Sequence, residues 1–394
     1  MPVKYTNKKK LAEIKKRAKH RKRIKIFIAI AAIILVAAVV VVGGYYLINL
    51  KTYSTYETTS ENQLGGAADN LSIRNYGDGY LQCSNNGAVY FTKDEVIWDN
   101  SFDMDNPIID ICGNYAVIAD TSQKEAYLYD KSGLVGKIST THEIIDAEVS
   151  ENGIIALSTN DSSCNYIELK DSTGNELINV KSVFSSSGYL QDIALSKDGN
   201  HLVAAFTYIT EGSLLSKVLF YDFSQGETDN MLIAGFSQYT DTVLTDVEFL
   251  ETDVVCAVGD NALTFYKFSD QPSIISEELS LEWELQTVSF EDNKLLLVAK
   301  DPTNENNYRA YVYNSSGSQL ASCGFDFAYS HARLSGSNIL LYSTSDFQLF
   351  SFKGAKRFSG SFSTRITYMF PISGIFPTQF MVATSDNIQF IRLK

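Results

Sequence analysis

The sequence predicts an all-β fold, an eight-bladed β-propeller standing behind one N-terminal transmembrane α-helix. Three observations predict it. An uncharged apolar run of 23 residues follows a strongly basic leader. From about Leu71 to the end, short apolar runs rich in Val, Ile, Tyr and Phe alternate with Gly/Asn/Asp/Ser turns, and no amphipathic helix interrupts them. Those runs recur at a mean step near 42 residues, the length of a four-stranded propeller blade.

The membrane element comes first in the chain. Residues 26–48 carry no charge and, as a helix, span roughly 34 Å, enough for a hydrocarbon core of about 30 Å with some tilt. Lipid offers no partner for backbone polar groups, so the Val and Ile of this run are driven into a helix against their propensity. Lys22, Arg23 and Lys25 flank one end, and Tyr45 and Tyr46 stand at the other, at the headgroup level that amphipathic rings favour. A cleaved signal peptide would have a shorter apolar region and a small-x-small site, which Val42-Gly43-Gly44 does not supply.

Charge sets the orientation. The 394 residues hold 33 Lys+Arg and 46 Asp+Glu, for a formal net charge of -13, but the signs are segregated. Residues 1–25 carry twelve bases against Glu13 alone; the remainder is strongly acidic. The positive-inside rule keeps the leader cytoplasmic and exports the rest. Beside a membrane helix, the leader answers anionic headgroups of the lipid bilayer, and no nucleic-acid partner is expected. Composition (45% hydrophobic, 24 Gly, 6 Pro) excludes wholesale disorder, a collagen-like chain and a polytopic membrane protein. The predicted organisation is a leader over 1–25, the helix over 26–48, a polar linker over 49–70 and the propeller over 71–394.

The repeat justifies the propeller. A first strand recurs as Ile109-Asp110-Ile111, Ile145-Asp146-Ala147, Gln191-Asp192-Ile193, Thr245-Asp246-Val247 and Gln286-Thr287-Val288. Weaker copies stand at Ile73-Arg74, His331-Ala332 and Ile366-Thr367. A second strand follows a tight turn, as in Asp198-Gly199-Asn200. The third runs into a polar turn ending in Gly, as in Asp130-Lys-Ser-Gly133, Asp171-Ser-Thr-Gly174, Asp222-Phe-Ser-Gln-Gly226 and Asn314-Ser-Ser-Gly317. There the Asp or Asn side chain bonds the turn backbone and Gly takes the positive φ. The Ser196-Lys-Asp-Gly199 turn and the Tyr-Asp-x-Ser-Gly type turns resemble those of the WD40-like and quinoprotein-like propeller superfamilies. The recurring Gly-His…Trp-Asp pair of standard WD40 repeats is absent. The whole layout resembles uncharacterised single-pass membrane-anchored propeller proteins of Gram-positive Firmicutes, a resemblance that implies a layout and no activity.

Eight anchors give eight blades, with a seven-bladed ring as the alternative. The last unit has room for three strands, near Ile366–Phe370, Gln379–Thr384 and Ile388–Leu393. Closing the ring therefore calls on a strand from before Leu71, such as 53–59. If Leu71–Tyr76 closed it instead, the count would be seven.

Catalytic signals are weak. There is no Gly-x-Ser-x-Gly elbow, phosphate loop or Cys-x-x-Cys pair. His142-Glu-Ile-Ile-Asp146 imitates a zinc-protease motif, but that motif needs a helix and this segment is a first strand. Cys83, Cys112, Cys164, Cys256 and Cys323 are odd in number and irregular in spacing, which implies no disulfide framework. Asp103–Asn106 and Asp301–Asn307 offer calcium-type oxygens without an EF-hand loop and read as solvated turns. No catalytic, cofactor-binding or metal residue is assigned, and no cofactor is expected. The expectation is a non-enzymatic, membrane-tethered module that binds a protein or cell-wall partner outside the membrane. An exported hydrolase, lyase or dehydrogenase with its site in the central channel is the alternative.

Overall fold

Each repeat unit of the sequence becomes one antiparallel four-stranded sheet, and there are eight of them. The computed structural model describes residues 51–63, 71–121, 123–226, 231–279, 284–301, 304–372, 378–385 and 387–394, with isolated helical positions at 27, 30 and 34–36. The chain divides into two units, Met1–Thr52 and Tyr53–Lys394. In the first, Phe27, Ile30, Ile34, Leu35 and Val36 are exposed. Most of the 26–48 run lies outside the described residues, as do Lys22, Arg23, Lys25, Tyr45 and Tyr46. Among the described residues no helix is long and apolar enough to cross a membrane.

The second unit is an eight-bladed propeller. The inner strands are Ser72–Tyr76, Pro107–Cys112, Glu143–Val149, Tyr189–Leu195, Leu244–Glu251, Glu284–Glu291, His331–Ser335 and Ile366–Pro371, for blades 1 to 8 in order. All eight sequence anchors fall within them. Blade 8 draws its outer strand, Tyr56–Gln63, from the opposite end of the chain, pairing it antiparallel with Asn387–Leu393. This is the closure expected near 53–59, so the seven-bladed alternative falls: Ser72–Tyr76 is the inner strand of blade 1. Pairing with Tyr56–Gln63 covers the edge that Asn387–Leu393 would otherwise leave open and ties the two ends of the propeller together. The closing strand lies inside the segment read as linker.

Packing follows the blade count. Among the described residues, eight apolar clusters form, one at each junction between neighbouring blades, so no blade owns a core of its own. The cluster of Ile73, Tyr80 and Phe91 with Phe370, Met381 and Phe390 joins blade 1 to blade 8. Tyr56 of the closing strand packs on Phe347 and Phe362 of blade 7, with ring centroids 6.0 and 5.1 Å apart.

The turns match their sequence logic. Asp171 Oδ1 accepts the N–H groups of Thr173 and Asn175 at 2.9 and 3.0 Å, and Asn314 Oδ1 accepts those of Ser316 and Ser318 at 3.1 and 2.8 Å. Gly174 and Gly317 sit at φ 87° and 73°, where a side chain would be strained. Because strands alternate in direction, the turns joining first to second and third to fourth strands share one face of the ring. The second-to-third hairpins and the crossovers to the next blade share the other. The chain enters blade 8 from the turn face: Tyr53 N–H donates to Arg357 O and Lys394 N–H to Thr55 O, both at 2.8 Å.

Candidate functional site

The inner strands line the bore, and the position marked by the sequence repeat faces charge into it. In blades 2 to 5 that position holds Asp110, Asp146, Asp192 and Asp246, and Glu148 and Glu248 follow two residues after Asp146 and Asp246. An acid in an otherwise apolar strand needs a reason. The hydrogen bonds supply one for several of these groups. Asp110 Oδ2 accepts the Val149 N–H of blade 3 at 2.8 Å, and Asp192 Oδ2 accepts the Val247 N–H of blade 5 at 2.7 Å. Glu291 Oε2 accepts the Leu334 N–H of blade 7 at 2.8 Å, while its Oε1 takes Arg333 Nη1 at 2.8 Å. Each carboxyl thus clasps the inner strand of the following blade. Asp146 accepts its neighbour Ala147 at 2.8 Å, and the Ile193 N–H of blade 4 also pulls its titration down.

Crowding acids in a narrow bore works against their charge. Burial pushes Asp110 up to about 6 against the pull of the Val149 and Ile111 N–H groups, and pushes Glu248 up to about 8, with Asp110 adding to it. Burial also raises Asp146 and Asp246, and lifts Glu148 and Asp192 well above the ordinary carboxylate range. Throughout this cluster burial disfavours the charged form. Among the described residues no three His, Cys, Asp or Glu side chains are placed to hold a metal ion.

The other side of the bore is basic and aromatic. Blade 1 has Arg74 where blades 2 to 5 have Asp, and blade 7 supplies His331 and Arg333. Arg333 lies 4.3 Å over the Phe370 ring, and Arg74 lies 6.0 Å from the Tyr368 ring. Burial alone would raise the Tyr368 phenol. The Ser72 hydrogen bond and the two arginines more than offset it, and the phenol titrates below its usual range. A cavity of about 830 Å³ opens on this side, lined by parts of blades 1, 2, 6, 7 and 8, including Arg74, Asp110, Glu291, His331 and Arg333.

A second feature lies on the crossover face at blades 3 and 4. Val183, Tyr189 and Ile209 are 42%, 58% and 75% exposed. The single helical turn Phe184–Ser187 carries Phe184 against Tyr189, with ring centroids 4.6 Å apart. Ile209 sits near the tip of the hairpin formed by His201–Thr210 and Ser213–Asp222, whose ten-residue strands outreach those of most blades.

The other sequence candidates resolve as structure. His142 precedes the inner strand Glu143–Val149 and stacks on Tyr166 at 4.5 Å, so the zinc-protease imitation is a strand, as expected. The Asp103–Asn106 turn presents backbone N–H groups to the buried Asp120 carboxylate at 2.8 and 3.2 Å, which makes it an anion seat. Residues 302–303 of the second acidic stretch lie outside the described residues. All five cysteines are free.

The model of a family of unknown function (DUF5711) matches residues 49–393, from just before the closing strand to the last strand of blade 8. The chain belongs to that family. Two solved structures are similar in fold. Sqt1 from Saccharomyces cerevisiae aligns with a TM-score of 0.54 at 12% identity, covering 88% of this chain and 100% of its own. Sqt1 from Chaetomium thermophilum aligns at 0.53 and 11%, covering 85% and 99%. No curated protein matches the sequence.

The sequence reading missed the bore. The recurring Asp was visible as a strand marker, and its buried position in an apolar strand was the available signal for a carboxyl with a task. Glu291 ends its strand outside the repeat register and gave no such signal.

Proposed function

We propose that the chain is a membrane-tethered, extracytoplasmic propeller whose crossover face binds a protein or cell-envelope partner. The exposed apolar group of Val183, Tyr189 and Ile209 carries the reading. The basic leader beside residues 26–48 supports an uncleaved anchor with a cytoplasmic N-terminus. Residues 49–55 lie between that run and the closing strand, and seven residues reach at most about 25 Å. The apolar group stands on the crossover face, opposite the turn face at which Tyr53 and Lys394 lie.

The experiment is site-specific photocrosslinking in intact cells. A crosslinker at Ile209 is expected to trap a discrete partner that the same group at Asn114, on the turn face, does not. Equal trapping from both positions, or none from Ile209, refutes the reading. An exported enzyme is the second reading, and the crowded, buried acids of the bore favour it, because perturbed carboxyls gather at catalytic sites. Clasping accounts for Asp110, Asp192 and Glu291 without catalysis.

A further inference from the structure

We infer that the axial cavity binds a small organic oxyanion, a carboxylate or a phosphate, through Arg74. Both of its hydrogen bonds run through Nη1, to Ile73 O at 3.2 Å and to Tyr368 Oη at 3.5 Å. Both acceptors are neutral oxygens. Nε and Nη2 keep their donors for another group, and half-buried donors left unfilled are costly unless an acceptor is supplied.

The neighbouring charges do not supply it. Glu291 uses one oxygen on Arg333 and the other on the Leu334 N–H. Asp110 feels the Arg74 charge, which pulls its titration down, but its hydrogen bond goes to the Val149 N–H and not to the guanidinium. The carboxyls of blades 3 to 5 lie outside the cavity lining, and burial disfavours their charged forms. Arg333, stacked on Phe370, is already spent on Glu291, so the donors left for a ligand on this wall are those of Arg74.

The volume, about 830 Å³, lies within the range of small-molecule sites and leaves room for more than a bare ion. Arginine's planar fork suits carboxylate and phosphate oxygens alike, so the geometry fixes the shared oxyanion chemistry and the assay separates the two sources.

The test uses the full chain in detergent micelles. Melting temperature is followed while inorganic phosphate or succinate is titrated, each against sodium chloride of matched ionic strength. A saturable rise beyond chloride is expected with at least one probe. Phosphate alone assigns a phosphate ligand, succinate alone a carboxylate, and both a general oxyanion site. Arg74→Gln is expected to weaken the half-saturation point at least tenfold, as loss of a charge-assisted hydrogen bond implies. No saturable rise with either probe, or an equal rise in Arg74→Gln, overturns the inference. Should Arg74→Gln fail to melt cooperatively, Tyr368→Phe decides: it removes only the phenol oxygen that orients Arg74, and unchanged affinity there overturns the inference too.

Discussion

Replacing Asp192 with Ala separates a clasp from a catalytic acid. In the native ring Asp192 Oδ2 takes the Val247 N–H at 2.7 Å, and Val247 is only 3% exposed. The Ala variant leaves that donor buried without a partner, at a cost of about 1–3 kcal/mol. Against this, the variant removes a carboxyl that burial holds well above its ordinary titration range, which returns part of the cost. The net expected loss is about 1 kcal/mol. Unfolding entropy of about 2.1 cal/mol/K per residue, over roughly 340 propeller residues, comes to about 0.7 kcal/mol/K. The melting temperature of the full chain in detergent should therefore fall by about 1.5 °C. Asp192→Asn, which keeps an acceptor oxygen, should fall by less than half of that. The assay is differential scanning calorimetry at pH 7. A melting temperature that stays level or rises in Asp192→Ala would refute the clasp, because an acid that costs stability is the mark of a residue kept for function.

The other predictions follow from the same ring. Glu248 and Asp110 keep their protons longer folded than unfolded, so their contribution is complete below the unfolded pKa and is lost as pH rises through about 8 and about 6. Burial lowers His331, whose opposing contribution varies only below its ordinary 6.5. Between pH 6.5 and 8 stability should therefore decline through Glu248, by up to about 1.4 kcal/mol per pH unit, the share of Asp110 falling mostly below that window, and a flat or rising melting curve contradicts the buried cluster. Tyr56→Ala should cost about 2 kcal/mol through lost packing on Phe347 and Phe362, and a chain beginning at Leu71 should melt lower than one beginning at Leu50. Equal melting of the two chains would mean that the closing strand does not seal the ring. Gly199 sits at φ 73°, and a Cβ there would meet Ile154 Cδ1 at 2.9 Å, so Gly199→Ala should cost about 2 kcal/mol by urea titration.

Much of the fold was legible because a propeller repeats its local rules. A recurring Ile-Asp-Ile type strand, a turn with Asp or Asn bonding its own backbone, and a glycine at positive φ are short-range features, and eight copies fixed the blade count. Even closure could be read, since the last unit had three strands and needed a fourth. The site was legible only as a marker. Asp110 and Asp192 stood in plain view, but their partners Val149 and Val247 lie 39 and 55 residues further on, and pairing across blades depends on register that no local pattern carries. Arg74 looked like a weak copy of the repeat. Its meaning comes from occupying the Asp position on the opposite wall of the bore, beside Tyr368 from the far end of the chain. The apolar group at Val183, Tyr189 and Ile209 was likewise hidden, because apolar residues near strand ends read as core until the sheet order places them outside.

Protease accessibility of a C-terminal epitope tag in cells stripped of their wall tests the tethered, exported reading most directly. Lys394 follows the strand Asn387–Leu393 at the turn face of blade 8, so a tag joined there extends from the propeller itself. The account predicts that added protease removes a C-terminal tag from intact cells, while a tag before Met1 survives until the membrane is broken. A C-terminal tag that stays protected until lysis, with the N-terminal tag lost first, would contradict it.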